Sequence, residues 1–130
     1  MIKRFTPVAI AVAVFTLICV GAFAGEIKPY NEAAFKEATA AGKTILLDFH
    51  ADWCPVCRKQ GPLLKSLVQE DKLKDVAAFK VNYDNEKALK QQFKVTSQST
   101  LIVLKGETVV SRATGMTDKE AIRALIEKGL

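Results

Sequence analysis

"TILLDFHADWCPVC", residues 44–57, starts as an apolar run and ends in two cysteines separated by Pro55 and Val56. Thr44 to Ala51 is too short for a helix and is apolar at both parities. It reads as a strand buried on both faces, at the centre of a sheet. A helix starts at the cysteine motif, with Leu63, Leu64, Leu67 and Val68 facing inward and Pro62 placed to kink it.

Working outward, Asn31 can cap a first helix that runs to about Ala41 and ends at Gly42. After the cysteine helix, Val76 to Tyr83 alternates Phe79, Val81 and Tyr83 against Ala78, Lys80 and Asn82, the period of a second strand. Asp84 or Asn85 is expected to cap a short helix whose Leu89 and Phe93 share a face. The segments "TLIVL" (100–104) and "TVVSR" (108–112) flank Lys-Gly-Glu, a hairpin signal. Thr117-x-x-Glu120 reads as a capping box opening a last amphipathic helix, with Ala121, Ile122, Leu125 and Ile126 inside. "EIKPY" (26–30) can add a short edge strand, limited by Pro29. The order predicts an α/β fold with a mixed sheet of about four strands flanked by helices.

Ahead of this domain lies a different kind of segment. Lys3 and Arg4 precede an uncharged, mostly apolar run from Phe5 to Val20, and Ala22-Phe23-Ala24 has the small-x-small pattern of a signal-peptidase site. Residues 1–24 are therefore expected to be a signal peptide, and residues 25–130 the exported domain. The alternative is a retained anchor, since residues 5–24 are long enough to span a bilayer. Ile18 before Cys19 argues against a lipoprotein site, which wants a small residue there. Export, periplasmic or otherwise, permits disulfide chemistry. Lys3 and Arg4 account for two of the 19 basic residues, so the formal charge of +5 falls to +3 without them. The remaining basic residues are scattered among acids, with no basic run interleaved with aromatics, so no nucleic-acid partner is expected.

Within residues 25–130 the cysteines are Cys54 and Cys57. A closed zinc site needs four ligands, and the only additions nearby are His50 and Asp52, which approach the same turn. Two thiolates alone suit a soft ion such as Cu(I). As a staple, the pair would close a loop of only two intervening residues, with a small entropic return. Redox exchange fits better. A cysteine at a helix N-terminus gains thiolate character from free N–H groups and the helix dipole, and the thiolate is the attacking species in disulfide exchange. Cys57, one turn on, can attack the mixed disulfide that Cys54 forms. Pro55 is tolerated in the first turn and stiffens the pair.

Together, "LLDFHADWCPVC", the proline at 62, Lys80 on the next strand, the "TLIVLKGE" hairpin and Gly115 before the last helix resemble the thioredoxin family over nearly all of residues 30–130. The chain most resembles the exported thioredoxin-like domains, including the terminal domain of the bacterial transmembrane thiol-disulfide interchange protein. An acid on the strand before W-C-x-x-C is much more specific than C-x-x-C alone.

The resemblance implies an exposed nucleophile at Cys54 and a buried resolving thiol at Cys57, able to form a disulfide with each other. It implies that Asp48 shuttles a proton to or from Cys57, its pKa raised by burial, with Lys80 tuning it. A plain Asp48–Lys80 structural pair is the alternative. Trp53, Pro55 and Ser99 fall on the substrate side, and His50, where the family usually has tryptophan, reads as a hydrogen-bonded packing residue, with a histidine that titrates near the thiols as the alternative. The activity implied is protein-disulfide reduction, fed by a membrane dithiol donor and carried out by a monomer with no cofactor and no metal. A disulfide-donating oxidant or a Cu(I)-binding thiol module are the alternatives.

Two departures from the family stand out. Pro-Val replaces Gly-Pro between the cysteines, and Ser99 stands where a cis-proline is usual. Because cis bonds before non-proline residues are costly, Gln98–Ser99 is expected to be trans. The reshaped edge is then expected to narrow the partner range and strengthen adventitious metal binding. On this reading Ser99→Pro raises activity on a generic protein disulfide and weakens Cu(I) or Zn(II) binding.

Overall fold

In the computed structural model, which describes residues 24–130, six of the seven residues of Thr44–His50 are buried. The leader reading lies outside the described residues, Ala24 excepted. Thr44–His50 is the second of five strands. The strands and helices, in chain order, are β1 (Ile27–Pro29), α1 (Glu32–Ala40), β2 (Thr44–His50), α2 (Pro55–Val68), β3 (Ala77–Asn82), α3 (Lys87–Gln92), β4 (Thr100–Lys105), β5 (Thr108–Thr114) and α4 (Lys119–Glu127). The sheet order is β1-β3-β2-β4-β5. β2 pairs in parallel with β3 and antiparallel with β4, so it lies at the centre, as its apolar run implies. The sheet has one strand more than the four expected, because the three-residue β1 pairs with β3 at the edge.

Alternation along β2 divides the core in two. Ile45, Leu47 and Phe49 pack with Phe35, Phe79, Val81 and Leu89 on the α1/α3 face. Leu46 packs with Leu64, Leu67, Val103 and Ile122 on the α2/α4 face. By the same period of two, Asp48 and His50 fall on the face with Leu46, the side covered by α2. Register pairs Asp48 with Lys80 and His50 with Asn82 across β3.

Local chemistry explains the helix ends, with two corrections. Asn31 caps α1 as expected, its side-chain oxygen accepting from the Ala34 N–H at 2.9 Å. At the other end Gly42 takes the left-handed conformation, φ +68°, that glycine accommodates. Neither Asp84 nor Asn85 caps α3. Its first residue follows Glu86, which makes no side-chain cap, because the Asn82 side-chain oxygen has already gathered the N–H groups of Asp84 and Asn85 into a turn. The cap of α4 is Asp118 rather than Thr117, its carboxylate accepting from the Ala121 N–H at 2.8 Å. Glu120 does not close a box with Thr117. It pairs with Arg123, which also reaches Glu70. α2 continues through Pro62, which has no N–H to offer the Arg58 carbonyl.

Candidate active site

Cys54 is the N-cap of α2, with Pro55 in the first turn. Its extended backbone (φ −87°, ψ 117°) aims Sγ over the helix end, where it accepts the Cys57 N–H at 3.2 Å. A sulfur in this position meets unpaired backbone donors and the positive end of the helix dipole. Burial pushes the Cys54 thiol up, but hydrogen bonds from the Cys57 thiol, from the Cys57 and Val56 N–H groups and from the Gln98 side chain outweigh it, so its pKa lies below the ordinary thiol value.

Cys57 behaves in the opposite way. Burial, then the Cys54 thiol and the charges of Cys54 and Asp48, push it up to about 11. The two thiols are free and chemically distinct, one shifted towards the thiolate and the other away from it.

One expectation needs correction. Cys54 is not exposed: it is 1% accessible, and Cys57 is 0%. Cys54 and Cys57 form a small apolar cluster with Ala51, against which Val56 and Tyr83 pack, while Gln98 reaches the Cys54 sulfur. What the solvent sees beside Cys54 is Trp53, 58% exposed, and Pro55. Trp53 is held in place by its indole N–H, which donates to Asp84 Oδ2 at 2.9 Å.

Asp48 is 4% exposed. Burial pushes its carboxyl from the ordinary 3.8 up to about 6, against the opposing pull of His50 and Lys80. Among the described residues no ion pair joins Asp48 to Lys80. The lysine faces it from the neighbouring strand and acts through its charge, so the simple structural pair is not what the fold contains. Asp48, His50, Lys65 and Lys80 line a cleft of about 520 Å³ under α2. A second cleft of the same volume, lined by His50, Asp52, Trp53, Lys80 and Asp84, lies beyond His50. Among the described residues no group of three or more His, Cys, Asp or Glu side chains is placed to hold a metal ion.

Ser99 sits at the end of the loop before β4. The Gln98–Ser99 bond is trans, and Ser99 has φ +61°, a left-handed backbone uncommon for serine. Internal bonds hold it there. Its N–H donates to the Phe49 carbonyl at 2.8 Å, and its carbonyl accepts from the Gly115 N–H at 3.1 Å. A second donor to that carbonyl is Gln60 Nε2 at 3.2 Å, which also donates to the Met116 carbonyl at 2.9 Å. The Ser99 backbone is thus committed inside the fold. The expectation for Ser99→Pro therefore reverses, because proline fixes φ near −65° and has no N–H for Phe49. Ser99→Pro should cost more than about 1 kcal/mol and should not raise activity. A thermal melt equal to the parent's would refute this.

Three contributors were missed in the sequence. Gln98 and Asp84 lie on loops, where no periodicity marks them. Gln60 did leave a signal: it falls on the face of Cys57, Leu64 and Leu67, a polar residue at a core position, and it is 0% exposed. Gln60→Leu removes the donor shared by two loop carbonyls and is expected to cost about 1–2 kcal/mol, read as a lower urea midpoint at unchanged slope.

Comparison with known proteins agrees with this geometry. The thioredoxin family model matches residues 26–128. The chain is 38% identical over 102 residues to the thioredoxin of Bacillus subtilis, across 77% of this chain and 94% of that one. Among solved structures it is similar to Trxlp from Edwardsiella tarda EIB202, with TM-score 0.75 and 42% identity over 78% of this chain and 98% of that one. It is also similar to the thioredoxin NaTrxh from Nicotiana alata, with TM-score 0.69 and 26% identity over 79% of this chain and 90% of that one. The match runs through almost the whole described domain and through the Cys54–Cys57 helix: the chain belongs to the thioredoxin family and is a thiol-disulfide oxidoreductase.

Proposed function

We propose that the chain is a reductase of protein disulfides working outside the cytoplasm. The observation that carries the reading is the pairing of a hydrogen-bonded Cys54 sulfur at the start of α2 with a buried Asp48 whose charge reaches Cys57. The Cys54 thiolate attacks one sulfur of a substrate disulfide. That S–S bond breaks, and the first substrate thiolate leaves and takes a proton from solvent. Cys57 then gives its proton to Asp48 and attacks the Cys54 sulfur. The mixed disulfide breaks, the second substrate thiolate leaves and takes a proton from solvent, and Cys54–Cys57 is left oxidised. Two electrons have passed from the dithiol to the substrate.

Lys80 tunes Asp48 from the adjacent strand, while Trp53 and Pro55 give the substrate an exposed, partly apolar surface beside the buried sulfur. The committed backbone of Ser99 shapes the neighbouring edge and favours a narrow range of partners. Export is supported by the basic, apolar and small-x-small order of residues 3–24. An exported reductase needs electrons from outside its own compartment, so a membrane dithiol is the donor, and the domain acts as a monomer. The test is turnover of a disulfide-bonded protein with a small dithiol as electron source. Catalysed reduction is the expected result. Rapid oxidation of a reduced, unfolded protein by the Cys54–Cys57 disulfide, with negligible reduction, would identify an oxidant instead.

A further inference from the structure

We propose that His50 is a relay residue that carries the proton of the resolution step from Asp48 to solvent. The inference rests on the reading that Asp48 accepts the Cys57 proton, and it extends that path outward.

Asp48 and His50 are two residues apart on β2, on one face, and both line the cleft of about 520 Å³ beneath α2. Each carries a buried polar atom. Among the described residues neither Asp48 Oδ1 nor His50 Nδ1 has a hydrogen-bond partner. Buried polar atoms are rarely left so, and an internal water is the usual bridge between two of them. On its other side the imidazole meets the outside. Nε2 lies 3.0 Å from Asp52 Oδ1, and the Asp52 side chain is 98% exposed.

The Asp52 carboxylate places the ring proton on Nε2 and leaves Nδ1 as the buried acceptor. A proton can therefore enter at Nδ1 from Asp48 through water while another leaves from Nε2 at the surface, which restores the starting ring after a flip or a return exchange. His50 also lines the second cleft, so it stands between the interior and the open side. The charged groups around it are Asp48 on its own strand, Asp52 on the following loop, Lys80 on β3, Lys65 on α2, Glu26 ahead of β1 and Asp84 across the second cleft.

A chromogenic aromatic disulfide separates the two chemical steps, since the first thiol released reports attack by Cys54 and the second reports resolution by Cys57. His50→Phe keeps an aromatic ring in the site and removes both nitrogens. Its first release should match the parent's within about twofold, and its second should slow about tenfold between pH 6 and 8. His50→Ala should show the same defect, and added imidazole should restore most of the lost rate with saturation. Asp48→Asn should also slow the second release, without rescue by imidazole. Normal second release in His50→Phe beside a slow Asp48→Asn would overturn the relay and leave the role of Asp48 standing. Failure of imidazole to rescue His50→Ala would overturn it as well. Normal release in both His50→Phe and Asp48→Asn would remove the relay and the Asp48 reading together.

Discussion

Cys57→Ser should attack one substrate disulfide and then stop, accumulating a mixed disulfide on Cys54, whereas Cys54→Ser should form none. Both variants should lose at least ~10³-fold in turnover, because the two residues act as a unit. The asymmetry follows from the local fields. Cys54 caps α2 and accepts the Cys57 N–H, so its thiolate is favoured, while burial and two nearby negative charges keep the proton on Cys57. Mass spectrometry of the trapped species distinguishes the assignments. A stable adduct on Cys57 in the Cys54→Ser variant, formed at the parent's rate, would reverse them. Since Cys54 is buried, the attack also requires a small displacement of its cover, and Gln98, which reaches its sulfur, is the side chain placed to move.

Asp48→Asn should slow resolution by about 100-fold at neutral pH, the lower end of the range of a positioned general base, and should at the same time make the protein more stable. The pH dependence gives the sign. In the unfolded chain an aspartate ionises near 3.8, whereas in the fold Asp48 does so near 6. Between these values the folded state holds the extra proton, so stability is greatest below about 3.8 and falls as pH rises through about 6. At roughly 1.4 kcal/mol per pH unit, the buried charge costs about 3 kcal/mol above pH 6, and asparagine removes that cost. Parent and variant should therefore converge in stability at pH 4 and separate at pH 7.5. The rate of resolution should rise through about pH 6 in the parent, as Asp48 becomes able to accept a proton. In the variant the rise should move up towards the pKa of Cys57. Equal stability at both pH values would mean that Asp48 ionises as an ordinary exposed aspartate does.

Much of this was legible because period and punctuation were unambiguous. An apolar run as short as residues 44–51 has only one comfortable place, the middle of a sheet, and the cysteine motif then had to open a helix beside it. Asn31 and Gly42 bounded α1 by cap chemistry alone. The misplaced caps share one cause: a nearby side chain made a different bond. Asn82 accepted the N–H groups of Asp84 and Asn85 and folded them into a turn, and Arg123 engaged the Glu120 carboxylate that would have accepted from Thr117. The site divided in the same way. Cys54, Cys57 and Asp48 are named by residue type and spacing, but the Gln98 side chain that hydrogen-bonds the Cys54 sulfur comes from a distant loop, and the Gln60 bonds to Ser99 and Met116 span 39 and 56 positions. Long-range hydrogen bonds of that kind leave no pattern in a local window. The backbone of Ser99 was half legible: the trans bond followed from the cost of the alternative, while φ +61° follows from partners on β2, α2 and the loop at Gly115.

Direction of electron flow is the central claim, and the reduction potential of the Cys54–Cys57 couple tests it most directly. A dithiol becomes a strong oxidant when its reduced form is strongly stabilised. Here the hydrogen bonds that favour the Cys54 thiolate are opposed by its burial, and the Cys57 thiolate is disfavoured outright. Equilibration with glutathione or a small dithiol buffer, followed by Trp53 fluorescence or thiol trapping, should place the couple nearer the thioredoxin value of about −270 mV than the value of about −120 mV typical of a disulfide donor. A potential close to about −120 mV would contradict the reductase.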